Sequence, residues 1–158
     1  MSRSINGYIE LNTGAEQWLA LIDLSLFIDL STNDQDTYTV LFGDQPHLNW
    51  RKLGFQPLFE KSTFPDNVSK EVGLETGIYD ENTYQRGQII NGYYYPYFSD
   101  GYVIGWSEIK AINWRETNLE GETRGEFLTG NWQTIFDLME VLAKNRKAKN
   151  IRLVVWMT

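Results

Sequence analysis

Apolar and polar residues alternate with a period of two close to the start of the chain, over residues 4–11. Ile5, Ile9 and Leu11 fall on one side of an extended segment, and polar side chains such as Glu10 fall on the other. This period predicts a β-strand. Residues 151–157 form a nearly continuous apolar run, IRLVVWM, which is typical of a strand buried on both faces.

The clearest helical pattern covers residues 132–144, shortly before that apolar run. Its apolar residues recur every three or four positions, which predicts an amphipathic helix with Asn131 as the N-cap. They are Trp132, Ile135, Phe136, Met139, Leu142 and Ala143. A helix followed by a buried strand is typical of one layer of an α/β or α+β protein.

Three weaker patterns lie in the first half of the chain. Residues 17–29 are apolar at every even position, which favours a long strand, or a strand followed by a helix, over a single helix. Residues 37–42 are apolar and rich in β-forming residues, so they predict a second strand. Residues 64–72 are typical of a turn that enters a short helix, with Asp66 or Asn67 as its N-cap.

The segment 88–106 predicts three extended pieces, 88–90, 93–98 and 102–106, arranged as a meander. Pro96 cannot donate a backbone hydrogen bond, so its piece is expected at a sheet edge or in an extended loop. Ser107 is the expected cap of a short helix that runs through Trp114. The acidic, glycine-containing residues 116–130 predict a loop.

Together these patterns predict a single α+β domain over residues 1–158, with a mixed or antiparallel sheet. We expect the first and last strands at the centre of the sheet and the C-terminal helix packed on one face. The length is sufficient to bury a core without disulfides, and the hydrophobic fraction of 42% supports folding.

Charge and cysteine content restrict the function. The net charge of −7, from 21 acidic and 14 basic residues, repels phosphate backbones, so nucleic-acid binding is not expected. The basic residues near the C-terminus are interpreted as complementing a helix dipole rather than binding phosphate. They are Lys144, Arg146, Lys147, Lys149 and Arg152. The absence of cysteine, of a signal-peptide pattern and of a long apolar run predicts a cytoplasmic protein that does not bind membranes.

Metal and cofactor chemistry receive little support. The chain has one histidine, His47, and no cysteine, which argues against a catalytic zinc site. The glycine patterns of phosphate-binding loops do not occur, and residues 33–36 lack the closing glutamate of a calcium loop. We therefore expect neither a cofactor nor a metal.

Three carboxylates offer the alternative of a hydrolase. Paired acids beside aromatic side chains are how glycosidases cleave sugars, and Asp66, Asp100 and Glu108 are the candidates. Each acid also has a local explanation: Asp100 in a turn, Asp66 as a helix cap and Glu108 in the first turn of a helix.

The richest aromatic stretch is residues 91–106, NGYYYPYFSDGYVIGW. Each tyrosine hydroxyl needs a polar partner when buried, so part of this stretch is expected to be exposed and to form a contact surface. The predicted contact residues are Tyr93, Tyr94, Tyr95, Tyr97, Tyr102 and Trp106.

Several segments, in order along the chain, resemble an uncharacterised bacterial and phage family whose members typically begin Met-Gly-Cys-Asp-Ile-His. The resembling segments are residues 1–10 (MSRSINGYIE), 38–43 (YTVLFG), 64–69 (FPDNVS), 102–109 (YVIGWSEI) and 151–156 (IRLVVW). The chain departs from this pattern where the family has its early Cys, Asp and His, which are Arg3, Ser4 and Asn6 in this sequence. The family's later histidine–serine pair is also lost, within residues 99–105. The resemblance therefore implies a fold more than an activity.

Our leading hypothesis is a non-enzymatic binding or protein-interaction domain that uses the tyrosine-rich stretch. Its expected partner is an unknown protein or a small polar ligand. The alternative is a carboxylate-based hydrolase acting on a sugar or a similar polar ligand. A homo-oligomer joined through the aromatic residues is a third hypothesis.

Overall fold

The computed structural model of the chain describes residues 4–29, 34–43, 52–61, 64–78, 88–90, 93–95 and 99–157. Of residues 88–90, 93–95 and 99–100 it describes the backbone. The strands are β1 (Ile5–Leu11), β2 (Leu19–Asp23), β3 (Gln88–Ile90), β4 (Tyr93–Tyr95), β5 (Ser99–Gly105) and β6 (Ile151–Met157). The helices are α1 (Asp34–Phe42), α2 (Lys70–Glu75), α3 (Trp106–Lys110) and α4 (Gly130–Asn145). Short 3-10 turns cover Leu24–Leu26, Arg124–Phe127 and Ala148–Asn150.

Four antiparallel strands form the main sheet in the order β2-β1-β6-β5. The two central strands, β1 and β6, pair along their whole length, from Ile5 opposite Met157 to Leu11 opposite Ile151. The predicted α+β fold, with the first and last strands at the centre and α4 packed on the sheet, is confirmed. The strand followed by a helical turn in residues 17–29 is also present, as β2 and the 3-10 turn.

Both faces of β6 are covered, which explains its continuous apolar sequence. Leu153 and Val155 pack in a core cluster with residues from α1, α3 and α4. Val154 and Trp156 point to the opposite face and pack in a second cluster with Phe64 and other residues of the segment 64–78. The sheet therefore lies between a layer of three helices and the segment that contains α2.

The prediction of a strand at residues 37–42 is wrong, because these residues belong to α1. Thr37, Thr39 and Val40 are β-branched, which favours a strand when the sequence is considered alone. Residues 37–42 are all buried, so the helix shows no polar face and no helical period. Tertiary packing decides the conformation: the Thr37 hydroxyl, for example, donates to the Phe127 carbonyl at 2.6 Å.

Two short helices begin at other residues than predicted. The N-cap of α2 is Ser69, not Asp66 or Asn67, and its hydroxyl accepts a hydrogen bond from the Val72 amide at 3.3 Å. α3 begins one residue before the predicted cap Ser107 and ends at Lys110 rather than at Trp114.

The start of α4 and the predicted meander also differ from expectation. The N-cap position of α4 is Thr129, and Asn131 lies within the helix, where its side chain donates to Asp34. β3 and β4 form a separate two-stranded sheet, whereas β5 joins the main sheet next to β6, so the described pieces do not form one meander. The predicted loop over residues 116–130 contains the 3-10 turn at Arg124–Phe127. Pro96 lies outside the described residues.

We predict that Gly7→Ala destabilises the fold by roughly 1–3 kcal/mol, because it overfills the core. A methyl group on Gly7 would lie 2.4 Å from the backbone oxygen of Val154 and 2.8 Å from a side-chain carbon of Leu24. The matched control is Gly130→Ala, since nothing lies within 4 Å of the added carbon there. Urea unfolding measures both variants, and equal stabilities would contradict the close approach of β1 and β6.

Candidate functional site

A hollow of about 260 Å³ lies between α3 and α4, on the helical layer of the molecule. Its aromatic lining comes from Trp106, Trp114 and Phe136. The other lining residues are Ile109, Lys110, Leu128, Gln133, Asp137 and Glu140. The hollow therefore combines an apolar floor with a rim of charged and polar groups.

The aromatic floor is held by the core behind it. Trp106 begins α3 directly after β5, and Trp114 lies four residues beyond the end of that helix. The Phe136 ring lies 6.0 Å from the ring of Trp114 and 6.0 Å from that of Trp132, measured between centroids. Trp132 is fully buried, and its indole nitrogen donates to the Asp34 carbonyl at 2.9 Å. The floor is therefore positioned before any ligand binds.

The rim of the hollow carries more negative than positive charge. Asp137 and Glu140 stand three residues apart on α4 and so share one side of the helix. Gln133 donates to the Asp137 carboxylate at 2.9 Å. Lys110 is the one cation among the lining residues that the structure describes. An aromatic floor beneath two carboxylates suits a cationic group.

The buried Asp34 carboxylate joins α1 to the start of α4. It accepts hydrogen bonds from the Thr129 hydroxyl, from the Asn131 amide at 2.6 Å and from the Asp29 backbone at 3.3 Å. Asp34 thus fixes the first turn of the helix that supplies half of the hollow.

A buried ion pair joins the centre of the sheet to the segment that covers its other face. The Arg152 Nε lies 2.7 Å from the Glu10 carboxylate, and the two residues are directly opposite on β6 and β1. The second oxygen of Glu10 accepts from the Ser69 amide at 2.7 Å. The Trp18 ring lies 3.9 Å from the Arg152 guanidinium, which completes the surroundings of the pair.

Arg124 is a second buried cation with a structural role. Its Nε lies 2.9 Å from the Glu116 carboxylate, and its other nitrogens donate to the carbonyls of Val40 and Gln56. The guanidinium also lies 4.8 Å from the centre of the Phe55 ring. Within the described part of the chain, the buried charged side chains Glu10, Asp34, Arg124 and Arg152 all bind other segments of the protein.

Tyr8 has a perturbed hydroxyl on the face of the sheet covered by α2. Burial, followed by the hydrogen bond that its hydroxyl donates to Glu75, raises the pKa of Tyr8 well above its usual range. The phenol therefore stays protonated even in alkaline solution and acts as a hydrogen-bond donor to Glu75. It packs against the Trp156 ring at a centroid distance of 6.2 Å.

The predicted contact residues separate into four groups. Tyr102 is 1% exposed and stacks on Phe42 at 4.0 Å, so it is a core residue and the prediction of an exposed contact is wrong for it. Trp106 is 6% exposed, yet it lines the hollow and remains a candidate. Residues 93–95 form β4, and the contact role of Tyr93, Tyr94 and Tyr95 stays a prediction. Tyr97 lies outside the described residues.

The two predicted acids whose side chains the structure describes, Asp66 and Glu108, do not meet in a cleft. Glu108 is exposed and accepts from the Gly105 amide at 2.9 Å, next to residues of the helical layer. Asp66 is exposed in the turn before α2, between Phe64 and Val68 of the cluster on the opposite face. These two carboxylates cannot form the pair that a glycosidase needs. Of Asp100 the structure describes the backbone, which belongs to β5.

Some of the residues considered as metal ligands are outside the described part of the chain. His47 and residue 33 are among those that it does not describe. In the described ranges, no group of three or more histidine, cysteine, aspartate or glutamate side chains is placed to hold a metal ion.

Most of the hollow was not predicted from the sequence. The sequence places Phe136 in the apolar stripe of the C-terminal helix, and its position in that stripe is the same as that of a core residue. Asp137 and Glu140 have the pattern of a solvent-facing helix surface, and no signal in the sequence relates them to Trp106. The two halves of the site come from separate helices, so only the packing of α3 on α4 reveals it.

None of the helices that the structure describes is long and apolar enough to cross a bilayer. The resemblance to a bacterial and phage family stays a prediction. Comparison of the chain with protein-family models, with curated proteins and with solved structures gives no match.

Proposed function

We propose that this protein is a non-enzymatic, cytoplasmic interaction domain whose hollow between α3 and α4 receives an arginine side chain of a protein partner. The observation that carries the proposal is the aromatic floor of Trp106, Trp114 and Phe136 beneath the carboxylates of Asp137 and Glu140. The cysteine-free sequence fits a reducing compartment such as the cytoplasm.

The size of the hollow favours a single side chain over a free metabolite. Its volume of about 260 Å³ lies below the roughly 300–1,000 Å³ that is typical of small-molecule sites. A guanidinium group stacks on aromatic faces and forms paired hydrogen bonds with carboxylates, which is the chemistry that this floor and rim offer. The net charge of −7 also attracts a basic partner.

The tyrosine-rich stretch extends this proposed surface. The stretch leads into the hollow along the sequence, because β5 ends at Gly105 and Trp106 follows directly. In this proposal, Tyr93, Tyr94, Tyr95 and Tyr97 contact the same partner outside the hollow. Tyr102 takes no part, because its ring belongs to the core.

Argininamide is expected to bind in the hollow with a Kd on the order of millimolar. The affinity is weak because this ligand contains only one side chain of the proposed partner. The experiment is an NMR titration that follows the indole N–H signals of Trp106 and Trp114. Citrulline amide has nearly the same shape and keeps the α-amino group but lacks the guanidinium charge, so it should shift these signals much less.

Matched variants test the carboxylates of the rim. Asp137→Asn and Glu140→Gln should each weaken argininamide binding by roughly two- to fivefold, as expected for a partly exposed ion pair. Glu16→Gln, in an exposed loop, should leave the affinity unchanged. Equal binding of argininamide and citrulline amide, or no shift of either indole signal, would contradict the proposal.

A second copy of the chain is the alternative partner. β2 is an edge strand of the main sheet among the described strands, and it leaves Leu19 49% and Leu21 40% exposed. An apolar edge strand favours pairing with another strand. Light scattering on the purified protein measures its oligomeric state and so tests this alternative. A homo-oligomer joined through β2 should dissociate into monomers when Leu21→Lys places a charge on the edge strand.

A further inference from the structure

A second hollow, of about 660 Å³, lies on another part of the molecule, where β1 ends and β6 begins. One wall is the loop Asn12, Thr13 and Gly14, and the other is the connection between α4 and β6. The remaining lining residues are Asn145, Arg146, Lys147, Lys149 and Asn150. We call this the basic hollow.

The basic hollow has a charge opposite to that of the whole chain. The described residues of its lining include three cations and no carboxylate, although the chain carries a net charge of −7. Arg146, Lys147 and Lys149 are exposed, and their side chains make no hydrogen bond or ion pair with the residues that the structure describes. Three cations are thus held close together without a counterion from the described protein.

The dipole of α4 accounts for only part of this charge. α4 ends at Asn145, with Lys144 in its last turn and Arg146 as its C-cap residue, so both lie at the negative end of the helix. Lys147 and Lys149 follow the cap, beyond the last turn of the helix. The interpretation of the basic run as a helix C-terminus therefore applies to Lys144 and Arg146 and leaves Lys147 and Lys149 unexplained.

The walls of the basic hollow are anchored to the centre of the sheet. The Asn12 amide donates to the Asn150 carbonyl at 2.8 Å, which joins the two walls next to the paired ends of β1 and β6. Gly14, at a φ of +94°, donates its amide to the Asn12 side chain at 2.9 Å. The Asn150 amide donates to the Lys147 carbonyl at 2.9 Å, so the connection is short and ordered.

We propose that the basic hollow binds a compact anion that carries several phosphate groups. Lysine, arginine and asparagine side chains supply the charge and the hydrogen-bond donors that phosphate oxygens accept. The volume lies in the range of small-molecule sites. A long polyanion fits poorly, because three cations are few and the remaining surface is acidic. This site is separate from the one proposed for arginine and is tested independently.

The probe is inorganic tripolyphosphate, titrated into the full chain at low salt and followed by calorimetry and by the backbone NMR signals of residues 12–14. Binding should weaken as salt increases. Arg146→Gln, Lys147→Gln and Lys149→Gln should each reduce the affinity by roughly two- to fivefold, and the triple variant should abolish binding. Lys52→Gln, an exposed cation outside the hollow, is the matched control.

Three results would overturn the proposal. The first is no binding of tripolyphosphate at low salt. The second is an equal loss of affinity in Lys52→Gln, which would make the interaction a general charge effect. The third is binding of a DNA duplex that is as tight as binding of tripolyphosphate, which would identify the ligand as a nucleic acid rather than a compact anion.

Discussion

Glu10→Gln is expected to lower the free energy of unfolding by about 3–5 kcal/mol, the cost of breaking one side of a buried ion pair. Glu10 is fully buried, and its two oxygens accept from Arg152 and from the Ser69 amide, each at 2.7 Å. Glutamine keeps one acceptor oxygen, but its NH₂ group then faces either the Arg152 Nε–H or the Ser69 N–H, both of which are donors. It also removes the negative charge that lies 2.7 Å from the Arg152 guanidinium, which is 7% exposed.

Two further variants separate the charge from the local packing. Glu16→Gln, on an exposed loop, should change stability by less than about 0.5 kcal/mol. The double variant Glu10→Leu with Arg152→Met removes both charges and should recover part of the loss, since buried pairs are often replaceable by apolar residues. The recovery is incomplete because the Ser69 amide loses its acceptor on Glu10. Urea unfolding measures all three, and a loss in Glu10→Gln no larger than in Glu16→Gln would contradict the role of the pair.

The ion pair at Glu10 matters because it joins two layers of the fold. Glu10 belongs to β1, whereas Ser69 begins the helix α2 that covers the second face of the sheet. Arg152 extends the connection to the Asn67 side chain at 3.4 Å and to the Trp18 ring. The segment 64–78 is therefore expected to detach first in Glu10→Gln, with increased hydrogen exchange at its amides.

The sequence predicted the centre of the sheet because β1 and β6 carry local signals. A period of two and an unbroken apolar run are visible without knowledge of the fold. α1 has no such signal, since its residues are buried on all sides and several are β-branched. The pairing of Glu10 with Arg152 depends on a cross-strand register between residues 142 positions apart, and no local pattern contains it.

The candidate site was predictable only in part, for a related reason. The aromatic richness of residues 91–106 pointed to Trp106, but the same richness made Tyr102 look equivalent, although it stacks on Phe42. Exposure depends on which neighbours pack against each ring, and those neighbours are distant in sequence. The rim acid Asp137 looks like any solvent-facing residue until α3 is placed beside α4.

Trp132→Ala is expected to destabilise the protein by about 3–5 kcal/mol, because it removes the largest buried side chain of α4 and leaves a cavity. Trp132→Phe fills most of that space and loses the hydrogen bond to the Asp34 carbonyl, so a loss of about 1–2 kcal/mol is expected. Val141→Ala, at a position of the same helix that is 56% exposed, controls for changes in α4 itself. Thermal and urea unfolding measure the series.

The same series tests whether the core positions the hollow. Trp132 packs behind Phe136, which in turn contacts Trp114 on the floor of the hollow. Trp132→Phe should therefore keep argininamide binding, whereas Trp132→Ala should weaken it under conditions in which the variant is still folded. If Trp132→Ala binds argininamide as well as the unmodified protein does, the floor is not held by this packing.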